Sequence, residues 1–446
     1  MVIRFDTSGE SAFKQPIKKL KPISADDLGK ECVKEQSQDL KLETNGSENE
    51  HQKVGNGRLV KYRKTRFEAN SLIKLLTDGL FRTYCWINYV KTNKEQTQTV
   101  IRIDKDFHDK EEKIGSGSYG EVFICGSDVI KISKVISRRL KQEDQKKFFM
   151  FSFFSSLKEN RCQKYLIDNH VRNVSSYLRG HIIGPYQYCI HMPYSGVALR
   201  EFCNSYEISL TFVFFVTRSL LQTLTDMNKL GIIHCDIKPE NILCTQDPLK
   251  LTLIDFGFAQ SFEPNLGFVE CPKGYIIQPL NYRSIFAVLQ TPIGSNVDLW
   301  SLGCILFEIF TKEYLFKTDV CGDINEQQLH HLANIISLIG IPPQSLIDTS
   351  KSELKDKHFV FCEDTKAYKS NADLEKTISY YKQKNTMFGF DFSIEARMKN
   401  AAKNRNIKED DPSFLKVMDL IKQLIAFEHR NPSYYLNFLE EIAVNE

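Results

Sequence analysis

The sequence predicts a two-lobed α+β fold, with a strand-rich first lobe and a mainly helical second lobe. Three observations predict it. Val100–Asp104, Lys113–Cys125 and Val129–Ile132 read as short strands, the second interrupted by a glycine cluster. Residues 207–230, 296–312 and 412–427 instead repeat their apolar residues at helical period. Strands gathered ahead of helices over roughly 330 residues indicate segregated lobes rather than an alternating α/β sheet.

Composition bounds the function. The 446 residues leave room for a large core, and 42% apolar with 26% charged residues is a globular balance. A net charge of +3 argues against an obligate nucleic-acid binder. The basic excess is local: residues 51–100 carry 10 basic and 3 acidic residues, whereas 1–50 carry 8 and 10. A nucleic-acid role for residues 58–66 would rest on one basic patch with no aromatic stacking module beside it. Twelve cysteines without a CxxC pair read as reduced thiols, neither a disulfide framework nor a zinc site.

Along the chain, residues 1–57 are polar and aperiodic, the composition of a disordered tail. Residues 58–109 form an extension, basic at first and then apolar from Phe67 onward. Lys18-Lys19-Leu20-Lys21 and Arg63-Lys64-Thr65-Arg66 resemble short nuclear-import patches or are solvated charge clusters. The longest apolar runs, Phe148–Phe154 and Leu210–Val216, fall short of the ~18 residues a bilayer span needs. No apolar signal segment lies in Met1–Lys14. The expected location is the cytoplasm, the nucleus or both, with no membrane partner.

The chemistry begins at Ile114-Gly115-Ser116-Gly117-Ser118-Tyr119-Gly120-Glu121-Val122. Glycines in this spacing let backbone N–H groups approach phosphate oxygens with no Cβ in the way. A dinucleotide loop would run from strand through glycines into a helix. Here a second strand, a Gly126-Ser127-Asp128 turn and a third strand follow, the order of a flap over ATP phosphates. Lys131 on that third strand is then placed to hold the α- and β-phosphates.

The decisive run is Ile232-Ile233-His234-Cys235-Asp236-Ile237-Lys238-Pro239-Glu240-Asn241-Ile242-Leu243, followed by Asp255-Phe256-Gly257. These motifs resemble those of protein kinases. The resemblance implies a bilobal kinase fold over 110–445, with an N-lobe at 110–193 and a C-lobe at 194–445. It implies Asp236 as the base for an attacking hydroxyl, Lys238 offsetting γ-phosphate charge, and Asn241 and Asp255 holding Mg²⁺. His234 would brace the backbone, and Asp298 in Asn296–Phe316 would anchor the catalytic loop. Val122 and Val129 would cover the adenine of ATP from above and Leu243 from below, with Met192 at the gate. Lys238 at its position resembles serine/threonine kinases.

Cys235, the Leu338–Asp348 run and Asp410-Asp411-Pro412 resemble the dual-specificity tyrosine-phosphorylation-regulated kinases of the CMGC group, which carry an insert like that at 341–410. Tyr282-Arg283-Ser284 matches that group's loop for the residue after the phosphoacceptor, so Arg283 is expected to shape a proline-tolerant or proline-directed pocket. Tyr275 falls one residue off the family's autophosphorylated tyrosine, where Ile276 stands. Ile285-Phe286 replaces the usual Pro-Glu, which removes one partner of an ion pair with Arg430. The glutamate that should pair with Lys131 is open. Glu143 is one reading, a surface residue is the other, and alignment on Lys164-Tyr165 puts Phe148-Phe149 at the position instead. The expected activity is ATP- and Mg²⁺-dependent phosphorylation of protein serine or threonine. The alternative is a pseudokinase-like scaffold that keeps nucleotide binding. Protein substrates and ATP are the implied partners.

Overall fold

A computed structural model of the protein describes residues 112–116, 120–125, 128–133, 156, 158–176, 179–183, 187–271, 276–318, 323–386 and 393–440. The expected tail, the extension, the Val100–Asp104 strand, Gly117, Ser118, Tyr119, Glu143 and Tyr275 lie outside these residues. The first lobe is an antiparallel sheet of β1 (Glu112–Ser116), β2 (Gly120–Cys125), β3 (Asp128–Ser133), β4 (Arg179–Ile183) and β5 (Gln187–Pro193), in the order β1-β2-β3-β5-β4. Helix α1, residues 158–168, falls between β3 and β4 in the chain.

Side chains alternate faces along a strand, and this alternation builds the site. Phe123, Ile130, Ile132 and Cys189 turn to one face and form the lobe's small core. Lys131 therefore turns to the other. Its cross-strand partners Val122 and Ile190 share that face, and Val129 is paired with Met192.

The second lobe holds α2 (Leu199–Ser205), α3 (Leu210–Lys229), α4 (Ile285–Val288), α5 (Ser295–Thr311) and α6 (Ile324–Ile339). Short strands carry its loops: β6 (Val197–Ala198), β8 (Ile242–Gln246) and β9 (Leu249–Leu253) form one sheet, and β7 (Ile232–Ile233) pairs with β10 (Gln260–Ser261). The stretch 341–410 contains α7 (Gln344–Asp348), α8 (Glu353–His358), the hairpin β11–β12 (Phe359–Cys362 and Ala367–Ser370), α9 (Ala372–Thr386) and α10 (Ile394–Lys403). Then come α11 (Pro412–Leu424) and α12 (Pro432–Glu440). The predicted α+β class with a strand-rich lobe ahead of a helical one is borne out. Among the described residues no helix is long and apolar enough to cross a membrane.

Helix α5 is the axis of the second lobe. Every residue from Val297 to Phe310 is buried, as expected of a helix that is apolar nearly all round. Gly303 lets α11 approach it: a Cβ there would lie 2.8 Å from Ile425 Cγ2 and 3.0 Å from Leu424 Cβ. Neighbouring helices start on side-chain caps. Ser209 Oγ accepts from the Phe212 N–H, and Asp411 accepts from those of Ser413 and Phe414, with Pro412 opening α11.

His331 on α6 is fully buried and its Nε2–H donates to the Arg283 carbonyl at 2.8 Å. Burial holds its imidazole down at about 3. The unfolded chain takes up that proton near pH 6.5 and the folded one does not. His331 thus contributes stability above pH 6.5 that is lost as pH falls toward 3. Wild type should therefore lose stability relative to His331→Gln by up to about 1.4 kcal/mol per pH unit below 6.5. Denaturant melts of both proteins between pH 7.5 and 4.5 check this, and parallel profiles would contradict it.

Candidate active site

The first group joins the two lobes. Lys131 Nζ lies 2.6 Å from Glu159 Oε2 on α1 and 2.9 Å from Asp255 Oδ1. Glu159 therefore takes the role left open between Glu143, Phe148-Phe149 and a surface residue. Glu143 is corrected on this point, because the carboxylate beside Lys131 is that of Glu159 on α1, 28 residues after the lysine. A signal was present in the chain: Glu159, Cys162, Gln163 and Leu166 recur at helical spacing and are all buried. Burial disfavours the Lys131 charge, but Asp255 and Glu159 outweigh it and hold the ammonium above the usual lysine range. Burial also opposes ionisation of Asp255, yet Lys131 beside it keeps that carboxyl below its ordinary value.

The catalytic loop hangs from α5. Asp298, in that helix's first turn, accepts the His234 N–H at 2.7 Å and the Cys235 N–H at 2.9 Å. Cys235 is held at φ +63°, a left-handed conformation that costs a non-glycine residue free energy unless its surroundings impose it. The His234 Nε2–H donates to the Ile254 carbonyl at 3.0 Å, and Nδ1 accepts the Asp236 N–H at 3.2 Å. The ring meets Phe256 at a 4.8 Å centroid distance. Burial keeps this imidazole neutral, down at about 4. His234 is thus a brace with both nitrogens committed.

Asp236 receives Lys238 Nζ at 2.8 Å and Asn241 Nδ2 at 2.8 Å. Burial raises its carboxyl above the ordinary value while Lys238 pulls the other way. A carboxylate so placed can accept a proton from a hydroxyl. Asn241 binds Asp236 through its amide nitrogen, which leaves its oxygen for a cation. That oxygen and the Asp255 carboxylate are hard donors suited to a divalent ion completed by phosphate oxygens. No group of three or more His, Cys, Asp or Glu residues that could hold a metal occurs among the described residues.

Around this centre, Gly115 and Ser116 end β1 and Gly120 begins β2. A Cβ on Gly120 would stand 3.0 Å from the Ile132 carbonyl oxygen and 3.4 Å from Lys131 Cγ, so a larger residue would crowd β3 beside that lysine. Ile114 is exposed on β1. Val122 and Val129 lie on the sheet, and Leu243 on β8 pairs with Ala198 and Thr252 in the other lobe. Met192 is buried near the end of β5, and Ser195 Oγ donates to the Pro193 carbonyl where the chain crosses between lobes.

The substrate-side loop is locked by its own polar groups. Gln278 stands at φ +64° and its N–H donates to the Cys235 carbonyl. Its side chain donates to the Val297 carbonyl and Ser301 Oγ and accepts from the N–H and Oγ of Ser284. Arg283 Nη2 donates to the Gln278 carbonyl at 2.8 Å, and Nε reaches the Ile277 and Gln278 carbonyls at 3.1 Å. Ile285 and Phe286 are buried; Phe286 meets Trp300 edge-on at 6.3 Å and His429 at 5.4 Å. Arg430 lies over the Tyr434 ring at 4.6 Å. Besides Glu159, sequence reasoning missed Arg200, whose guanidinium binds Glu240, Glu308 and Tyr282. No local motif marks a contact assembled from four separate segments.

Residues 108–426 match the protein kinase domain family. The chain is 32% identical over 245 residues to the DYRK-family kinase pom1 of Schizosaccharomyces pombe, covering 53% of this chain and 20% of that one. It is 30% identical over 248 residues to dual specificity tyrosine-phosphorylation-regulated kinase 4 of Homo sapiens, covering 54% and 43%. To kinase 3 of that name from Mus musculus it is 38% identical over 145 residues, covering 32% and 22%. The chain thus matches less than half the length of each of these relatives. The resemblance read from Cys235 and its companion motifs is borne out.

Reassigning the Lys131 partner has a direct consequence. Glu159→Gln should lower phosphoryl transfer from ATP by about 10- to 100-fold, roughly 1.4–2.7 kcal/mol, with the melting curve nearly unchanged. Glu143→Gln should stay within twofold of wild type. Parallel assays of the two variants check this, and the reverse ranking would return the role to Glu143.

Proposed function

This chain belongs to the protein kinase family, and from that premise we propose that it transfers the γ-phosphoryl group of ATP to serine and threonine hydroxyls of protein substrates, with Mg²⁺ as the divalent ion. The observation that carries this reading is the Lys131–Glu159–Asp255 cluster beside Asp236, since it joins both lobes in a phosphate-binding arrangement. Lys131 would orient the α- and β-phosphates. Asp236 would accept the proton of the attacking hydroxyl, and Lys238 would offset charge on the transferring group. Asn241 and Asp255 would hold Mg²⁺, which supplies charge neutralisation at the phosphates. A glutamate in place beside Lys131 supports an active enzyme over a scaffold that only binds nucleotide. The basic patches at Lys18–Lys21 and Arg63–Arg66 favour a cytoplasmic or nuclear location.

Proline preference follows from Gln278. Arg283 occupies the Gln278 carbonyl, so that oxygen is not free to accept a backbone N–H from a substrate. A residue with an N–H there would leave a donor unsatisfied, at about 1–3 kcal/mol, whereas proline has none to lose. Phe286, packed on Trp300 and His429, stands in for the buried ion pair and supports the same loop geometry.

The test of the activity is incubation of the pure protein with Mg-ATP and a Ser/Thr-Pro peptide library, with phosphosites, Tyr275 included, mapped by mass spectrometry. Asp236→Asn should lower turnover about 10²- to 10⁴-fold with an unchanged melt. Equal turnover in that variant would remove the assignment. In the best peptide, proline to alanine just after the acceptor should cost wild type about tenfold in kcat/KM, and Phe286→Glu should keep that ratio within threefold. A wild type indifferent to proline, with strong preference appearing in Phe286→Glu, would show that packing has not replaced the anchor.

A further inference from the structure

Glu240 belongs to the same loop as Asp236, one residue before Asn241, which bonds Asp236 directly. Its side chain is 47% exposed. Tyr282 immediately precedes Arg283 on the substrate-side loop, and Glu308 rises from α5 with its carboxylate turned to the Tyr282 hydroxyl at 2.5 Å. These groups make an acidic notch between the catalytic loop and the loop that faces the substrate. Two carboxylates and a phenol oxygen in such an arrangement are the complement of a guanidinium, whose five donors fan out in one plane.

A guanidinium already fills it, and it is the protein's own. Arg200, the second residue of α2, donates from Nε to Glu240 Oε1 at 2.6 Å and from Nη2 to the Tyr282 hydroxyl at 2.6 Å. Its Nη1 donates to Glu308 Oε1. The same group lies 5.4 Å above the Tyr314 ring. All three nitrogens are committed, and the side chain remains 30% exposed, so the notch opens to solvent with its occupant in place.

We infer that Arg200 determines specificity by occupying, from within the chain, the acidic notch that would otherwise bind an arginine side chain of the substrate. The inference rests on the kinase reading for its substrate, though not for its binding contacts. The protein consequently selects its peptides without a basic residue in this notch. Removing Arg200 exposes Glu240, Glu308 and the Tyr282 hydroxyl to an incoming guanidinium that can re-form the same bonds.

The experiment compares full-length wild type, Arg200→Ala, Arg200→Met and Arg200→Ala/Glu240→Gln. Each is presented with one acceptor peptide carrying arginine or alanine at each position from three before to three after the acceptor. Relative kcat/KM is read by turnover, and affinity is read separately by anisotropy of the same peptides labelled with fluorescein. Wild type should discriminate less than threefold between arginine and alanine at every position. Arg200→Ala should gain a preference of tenfold or more for arginine at one position, and Glu240→Gln should remove that gain. Arg200→Met keeps the aliphatic stem over Tyr314 and should gain the same preference if Arg200→Ala does not fold. Folded Arg200 variants that treat both peptides alike would overturn the inference. So would a wild type that already prefers arginine tenfold and loses that preference in Glu240→Gln. Absent turnover on every peptide would count against the kinase reading alone, and the anisotropy arm would still decide the role of Arg200.

Discussion

Asp298 is a carboxylate inside a helix that water does not reach, and the catalytic loop hangs from its two oxygens. Burial pushes it up to about 7, against the two N–H groups that favour its charge. Those two bonds hold His234 and Cys235 by their backbones, Cys235 in a conformation that only a rigid surround sustains. Position propagates outward from there. His234 fixes the Ile254 carbonyl just before Asp255, and the Cys235 carbonyl receives Gln278 from the substrate-side loop. The loop of Asp236, the segment that leads into Asp255 and the loop of Gln278 thus share one support. Because α5 is buried from Val297 to Phe310, that support moves only with the core of the lobe.

The substrate-side loop shows how apolar packing can serve where the resemblance led to the expectation of a buried ion pair with Arg430. Removing one partner of such a pair strands the other at about 3–5 kcal/mol, but replacing it with well-packed apolar bulk can be neutral. Phe286 supplies the bulk, and Arg430 escapes the stranded state by lying over Tyr434. Trp300 Nε1 and His429 Nδ1, on the two rings that Phe286 touches, are buried without hydrogen-bond partners among the described residues. Polar support has moved to Gln278, whose side-chain amide ties the loop to α5 at Val297 and Ser301.

What could be read from the chain depended on how locally each role is encoded. Asp236, Lys238 and Asn241 lie within six residues, and Asp255-Phe256-Gly257 is contiguous, so fixed chemistry imposed a fixed spacing. Lys131 was legible because it stands on the strand that follows the glycine-rich turn, a short and local spacing. Its glutamate was not, because the connection from β3 to α1 sets no spacing and helix phase alone singles out Glu159. The N-terminal ends of α3 and α11 were legible within a few residues, since Ser209 and the Asp411-Pro412 pair mark them. Arg200 stayed hidden for a different reason: it meets Glu240, Glu308 and Tyr282 only through tertiary packing, and a surface arginine on a short helix has no signature.

Cys235 stands next to Asp236 and three residues before Lys238, yet its chemistry there is that of a small apolar residue. Burial lifts its thiol well above the ordinary value, so almost no thiolate forms at neutral pH. Cys162 on α1 and Cys244 on β8 are likewise pushed up to about 12. Thiolate is the species that oxidants and electrophiles attack. The Cys235 thiol, held protonated by burial, is thereby a poor target for both. The one thiol lowered to about 7 among the described residues, Cys362, sits at the end of β11, in the 341–410 stretch. Among the described cysteines, thiol chemistry would therefore favour that hairpin over Cys235.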